Sequence, residues 1–144
     1  MKPRTVLLEV NGIVCDPEMP EVPMRLITTG KLSGKKDAWK LVYTQRDDFT
    51  GEEDRITLSM GGGVVTMQRG GPGGTGMVFE QARRHESRFR SPLGDMALGV
   101  YPTGVHYAVD ENGTGEVSLS YHMDLEGQST GLHRVSIRFR SSPA

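Results

Sequence analysis

Apolar and polar residues alternate with a period of two along most of the chain. Val117, Leu119, Tyr121, Met123 and Leu125 stand against Ser118, Ser120, His122, Asp124 and Glu126. Successive side chains of an extended backbone point to opposite faces, so this run predicts a strand with one apolar and one wet face. Val135, Ile137 and Phe139 alternate in the same way with Arg134, Ser136, Arg138 and Arg140. Trp39, Leu41 and Tyr43 form a third such set, and Ile56, Leu58 and Met60 a fourth. Shorter or weaker patterns predict strands at Val6 to Val10, Met24 to Ser33, Val64 to Arg69 and Gly76 to Glu80. Others fall at Arg84 to Arg90, Met96 to Val100 and Val105 to Val109. No window carries a period of 3.6, and the best helical candidate, Val78 to His85, follows Gly76 and runs into polar residues.

Turn signals fall between these runs. Gly61-Gly62-Gly63 supplies the positive φ that tight hairpins need, and Asn112-Gly113 is a strong short hairpin signal. Pro102-Thr103-Gly104 and Asp47 to Asp54 read as turns, Gly70 to Gly74 as a loop, and Asp16 to Pro23 as a proline-rich connection. Many short strands joined by hairpins, each apolar on one face, predict an antiparallel meander. Closure hides the apolar face and the edges, so the expected fold is all-β. It is a single antiparallel up-and-down β-barrel of about 8–10 strands. Residues 1–144 form one domain in this reading, without an internal repeat or linker.

Composition narrows the function classes. Lys and Arg total 17 and Asp and Glu 18, a formal net charge of -1, so bulk charge gives no case for nucleic acid or an anionic membrane. With 24% charged and 35% hydrophobic residues the chain is too apolar and too balanced for disorder. No apolar run reaches the roughly 20 residues of a membrane span. The apolar stretch at Thr5 to Val10 is short for a signal peptide and Glu9 interrupts it. Cys15 is the single cysteine, so no intrachain disulfide forms. These features place the chain in a reducing, cytoplasmic setting.

Three groups of residues, taken in order, resemble those of a known family. Thr29-Gly30-Lys31-Leu32 precedes Trp39-Lys40-Leu41-Val42-Tyr43. Val65-Thr66-Met67-Gln68-Arg69-Gly70 precedes Met77-Val78-Phe79-Glu80. Ser91-Pro92-Leu93-Gly94 leads through Thr103 to Leu119-Ser120-Tyr121. From about Val6 to Phe139 the chain resembles the YwiB-like family of small bacterial proteins of unknown function. The resemblance implies a calycin-like (lipocalin-like) β-barrel and a bacterial cytoplasmic origin, and no activity. The chain departs from that family at Leu93, where the family carries an aromatic ring.

Little reactive chemistry is legible. His85, His106, His122 and His133 show no metal-ligand spacing, so neither metal nor cofactor is expected, and all four read as surface residues. Cys15 sits in an expected loop without an adjacent base. Asp47, Asp48, Glu52, Glu53 and Asp54 do not match a calcium loop, and the glycine-rich run lacks the ending of a phosphate loop. Arg83, Arg84, Arg88 and Arg90 form a basic edge that Arg134, Arg138 and Arg140 extend if their strands are neighbours.

The expected interior holds the more suggestive set. Trp39, Tyr43, Phe79 and Tyr121 point inward by phase, methionines are frequent among their neighbours, and Arg69 is in phase with Val65 and Met67. An inward arginine beside tyrosine hydroxyls suits a carboxylate or phosphate head. The leading reading is therefore a non-enzymatic barrel binding a small amphipathic ligand in its lumen through Trp39, Tyr43, Arg69, Phe79 and Tyr121. The alternative is a structural or interaction module, docking a protein or nucleic acid through the arginine edge or forming a homodimer. An enzyme has least support, since no acid, base and nucleophile assemble from the sequence.

Overall fold

Ten strands follow one another along the chain in a computed structural model that describes residues 3–16, 19–46, 53–70, 75–91 and 94–141. They are β1 (Arg4–Asp16), β2 (Met19–Lys35), β3 (Ala38–Arg46), β4 (Glu53–Gly61) and β5 (Val64–Arg69). After them come β6 (Thr75–Glu80), β7 (His85–Ser91), β8 (Gly94–Val109), β9 (Gly115–Leu125) and β10 (Gln128–Ser141). Every pairing is antiparallel, and the order is β6-β5-β4-β3-β2-β1-β10-β9-β8-β7. Each strand thus lies beside its sequence neighbours, and β1 pairs with β10 from Val6↔Ser141 to Cys15↔Leu132. The ring is broken between β6 and β7, which do not pair with each other; a single isolated bridge, Glu80↔Arg83, closes the turn that follows β6. This is the expected all-β up-and-down barrel, nearly closed and lipocalin-like in plan.

Alternation sets the inside. Val6, Leu8 and Val10 of β1 are buried, as are Leu41 and Tyr43, Ile56, Leu58 and Met60, Val65 and Met67, and Phe79. From the other wall come Leu98 and Val100, Val117, Leu119 and Tyr121, and Ile137 and Phe139. No buried polar or charged residue occurs among the described residues, and Leu41, Leu58, Val65 and Phe79 are 0% exposed. Side chains thus pack the middle of the barrel, where sheets of this size tend to be filled.

The turns explain the register. Gly62 and Gly63 have φ of 61° and 79°, the two positive values a type I′ hairpin requires between β4 and β5. Between β8 and β9, where the Asn112-Gly113 signal falls, Asp110 Oδ1 accepts from the amides of Asn112 (2.9 Å) and Thr114 (3.0 Å). One end of the barrel is tied shut across its width. Tyr107 of β8 donates to Asp37 Oδ1 at 2.5 Å and accepts from the Gly63 amide at 2.9 Å. The Gly62 amide donates to Asp37 Oδ2 at 3.1 Å. This Asp37 end lies opposite the Arg69 end, where β5 turns into β6.

Several local expectations are corrected. Pro102-Thr103-Gly104 is no turn: β8 runs through it as one strand, with a register shift between Pro102 and Gly104. A β-bulge uses the same residue types as a turn but keeps the strand going. The Asp16 to Pro23 connection is mostly strand, since β1 runs to Asp16 and β2 begins at Met19. Proline is tolerated there because pairing of β2 with β3 starts only at Gly30↔Tyr43, leaving that side of β2 an edge. Cys15 accordingly lies in β1 and not in a loop. Val78 to His85 is the end of β6, a turn with Ala82 at φ 60°, and the start of β7. The turn expected at Asp47 to Asp54, the loop at Gly70 to Gly74 and the Leu93 departure lie largely or wholly outside the described residues.

Candidate functional site

The backbone brings Arg69 into line with a tyrosine. Gly30, Tyr43, Ile56, Arg69 and Thr75 lie opposite one another on β2 to β6. Tyr43 and Arg69 are two strands apart, about 10 Å between backbones, a span their long side chains can bridge. Tyr121 enters from the far wall, on β9. Arg69 acts electrostatically on both phenols: burial raises each and the nearby guanidinium offsets part of that rise, leaving each at about 12.

Neither phenol has a hydrogen-bond partner among the described residues, although Tyr43 is 3% and Tyr121 6% exposed. No fully buried side-chain oxygen or nitrogen is left unsatisfied among those residues. Both hydroxyls therefore touch accessible space. Arg69 is half-buried, and no carboxylate pairs with it among the described residues. An unpaired inward guanidinium is costly in an apolar interior unless water or an anion meets it.

Aromatic rings line the same region. Phe79 and Tyr121 meet with centroids 4.8 Å apart at 59°, and Tyr121 stacks on His133 at 5.2 Å and 9°. His133 Nε2 lies 2.9 Å from Thr130 Oγ1, which donates to the Met123 carbonyl at 3.0 Å. Burial and the charge on His122 hold the His133 imidazole below its ordinary pKa. Met77 and Met123 pack partly buried against the same core.

Of the five residues expected to line the lumen, Tyr43 and Tyr121 both feel the charge of Arg69, while Phe79, in the same register row as Trp39, joins them through its contact with the Tyr121 ring. Trp39 stands four residues before Tyr43 on β3, about 13 Å away along the strand. It borders a separate recess with Asp37, Met60 and Val64. His133 was missed. It is in phase with Val135, Ile137 and Phe139, and that phase was the available signal.

The other histidines behave differently. His122 is exposed. His106 faces Glu116 at 3.6 Å, and His85 faces Glu80 at 3.3 Å. No group of three or more His, Cys, Asp or Glu that could hold a metal occurs among the described residues.

Two arginines of the basic edge are committed. Arg84 reaches Asp124 through two nitrogens, at 2.6 and 3.1 Å, and Arg83 pairs with Glu80 at 3.5 Å. Strands β8 and β9 separate β7 from β10, so Arg134, Arg138 and Arg140 do not extend that edge. They stand on the outer face of β10 beside two open grooves of about 780 and 910 Å³.

A family profile described as "Domain of unknown function (DUF1934)" matches residues 9–137. The crystal structure of the ywiB protein from Bacillus subtilis is similar, with a TM-score of 0.84 at 19% identity, covering 98% of this chain and 94% of that one. No curated protein matches. Among the described residues no helix is long and apolar enough to cross a membrane.

Proposed function

The chain belongs to the family described as a domain of unknown function (DUF1934), and since membership assigns no activity, we propose that the barrel is a non-enzymatic, cytoplasmic binder of a small amphipathic acid. The seat is the Arg69 end. The observation that carries the reading is Arg69 itself: an inward cation without a carboxylate partner among the described residues, beside two phenols whose hydroxyls are unpartnered. A guanidinium with two phenol donors within its electrostatic reach suits a carboxylate or a phosphate head. Met77, Met123 and the Phe79 ring offer apolar surface for a tail.

The packed middle of the barrel makes the seat shallow, so the ligand is short and held near that end. The interaction-module reading has less behind it, because Arg83 and Arg84 are committed to Glu80 and Asp124.

Octanoate and octanol serve as probes, titrated into wild type and Arg69→Met with the protein amides followed by NMR. Octanoate is expected to shift amides of β5 and β9 and to bind about ten-fold or more tighter than to Arg69→Met, as for a lost charge-assisted hydrogen bond. Octanol binds more weakly than octanoate. Equal octanoate binding by both proteins, or none by either, overturns the proposal.

A further inference from the structure

The His133 imidazole has a definable tautomer. A β-bulge falls between Ser129 and Gly131 on β10. There the Gly131 amide donates to Ser129 Oγ at 3.2 Å. The Met123 carbonyl accepts from the Thr130 hydroxyl at 3.0 Å. A hydroxyl has one proton to give. With that proton on the Met123 carbonyl, Thr130 Oγ1 can only accept from His133 Nε2, 2.9 Å away. Nε2 therefore carries the ring proton, and Nδ1 of the neutral ring holds a free lone pair. Nδ1 has no partner among the described residues, and none of their fully buried nitrogens is unsatisfied, so Nδ1 also reaches accessible space. Its ring lies parallel to Tyr121, 5.2 Å away, and Tyr121 feels Arg69.

We infer that His133 adds a hydrogen-bond acceptor to the Arg69 seat, so that the preferred ligand is a hydroxylated amphipathic acid rather than a plain one. The inference rests on the reading of that seat as an acid-binding site. Every other polar group of the seat, Arg69 and the two phenols, offers a proton toward an anion. An acceptor one ring away matches a ligand hydroxyl carried close to the acid.

The test compares octanoate with 2-hydroxyoctanoate and 3-hydroxyoctanoate on wild type, Arg69→Met and His133→Phe, the last keeping a ring to stack on Tyr121. At least one hydroxy acid is expected to bind wild type about five-fold tighter than octanoate, the worth of one neutral hydrogen bond. His133→Phe erases that preference, so that the hydroxy acids bind it no more tightly than octanoate does. ¹⁵N spectra of the wild-type imidazole show the Nε2-protonated form, and they decide together with the wild-type preference if His133→Phe does not fold. Equal binding of all three acids, still weakened by Arg69→Met, overturns this inference and leaves the acid-binding reading standing. An Nδ1-protonated ring overturns it as well. Failure of all three acids to bind wild type removes both.

Discussion

Gln81 closes the barrel by standing in for a strand against Val105. Its Oε1 accepts from the Val105 amide at 3.0 Å, and its Nε2 donates to the Thr103 carbonyl at 2.9 Å. These backbone groups lie on β8 beyond Val100, where pairing with β7 begins at His85. One side-chain amide thus satisfies the donor and the acceptor that the bulge exposes. Gln81→Ala should leave the fold intact and open this seam. Hydrogen exchange is expected to quicken at Val105 and not at Ile56 or Ile137; unchanged exchange at Val105 refutes the role.

Two of the glycines pressed against other atoms, Gly30 and Gly99, should respond differently to alanine. A Cβ on Gly30 would lie 2.7 Å from the Val42 carbonyl oxygen and 2.8 Å from Leu8 Cδ2, so backbone has to move. A Cβ on Gly99 would meet the Arg84 guanidinium at 2.1 Å, and that side chain can swing away. Gly30→Ala should cost about 1–3 kcal/mol as an overpacked core does. Gly99→Ala should cost less, mainly by undoing the Arg84–Asp124 pair. Urea denaturation of both variants checks the order.

The tie at the Asp37 end carries a pH signature. Hydrogen bonds from Tyr107 and from the Gly62 amide hold the Asp37 carboxyl below its ordinary 3.8. A carboxylate with a depressed folded-state pKa stabilises above its unfolded value, and that contribution is lost as pH falls through the folded one. Tyr107→Phe should lower Tm by about 2–4 °C near neutrality, as for one lost hydrogen bond in a domain of this size. The gap between wild type and variant should narrow in melts taken below pH 3.8. A constant gap argues against the tie.

Alkaline titration reports on the seat itself. Tyr43 and Tyr121 are pushed to about 12, mainly by burial. A raised folded-state pKa gives stability that is whole below about pH 10 and drains away as pH rises through 12. Ultraviolet absorbance should show Tyr43 and Tyr121 ionising late, and Arg69→Met should delay these two further, because the arginine charge favours phenolate. Earlier ionisation in the variant contradicts the placement of Arg69.

Emptying the core tests the filled middle. Leu58 is 0% exposed on β4, the strand between Tyr43 and Arg69. Leu58→Ala should cost about 2–5 kcal/mol, measured by denaturant unfolding. A loss near zero indicates that the barrel holds a space the packing denies.

Much of this fold was legible because one face is dry. Where alternation is strict, as at Val117 to Leu125, sequence and strand coincide. It misled at Pro102 to Gly104, since turns and bulges draw on the same residues. The strand beginning at Met19 was hidden by prolines that an unpaired edge can carry. Arg69 was legible from its phase with Val65 and Met67. His133 is equally in phase, but histidine as a residue type is as common on a wet face as on a dry one, so its phase alone does not mark it as interior. The meeting of Tyr121 with Arg69 was beyond reach. It depends on how the ring of strands curves, and no local pattern encodes that.

The pairing of β1 with β10 has a consequence for how the chain comes to be folded. Eight strands lie between these two in sequence, so this edge of β1 has no partner until they have all been made. Contacts so distant along the chain are slow to form. While the ribosome is still at work, the apolar face of Val6, Leu8 and Val10 lies beside an unfilled hydrogen-bonding edge. A nascent chain in that state carries both an apolar face and an open strand edge, the combination that invites aggregation.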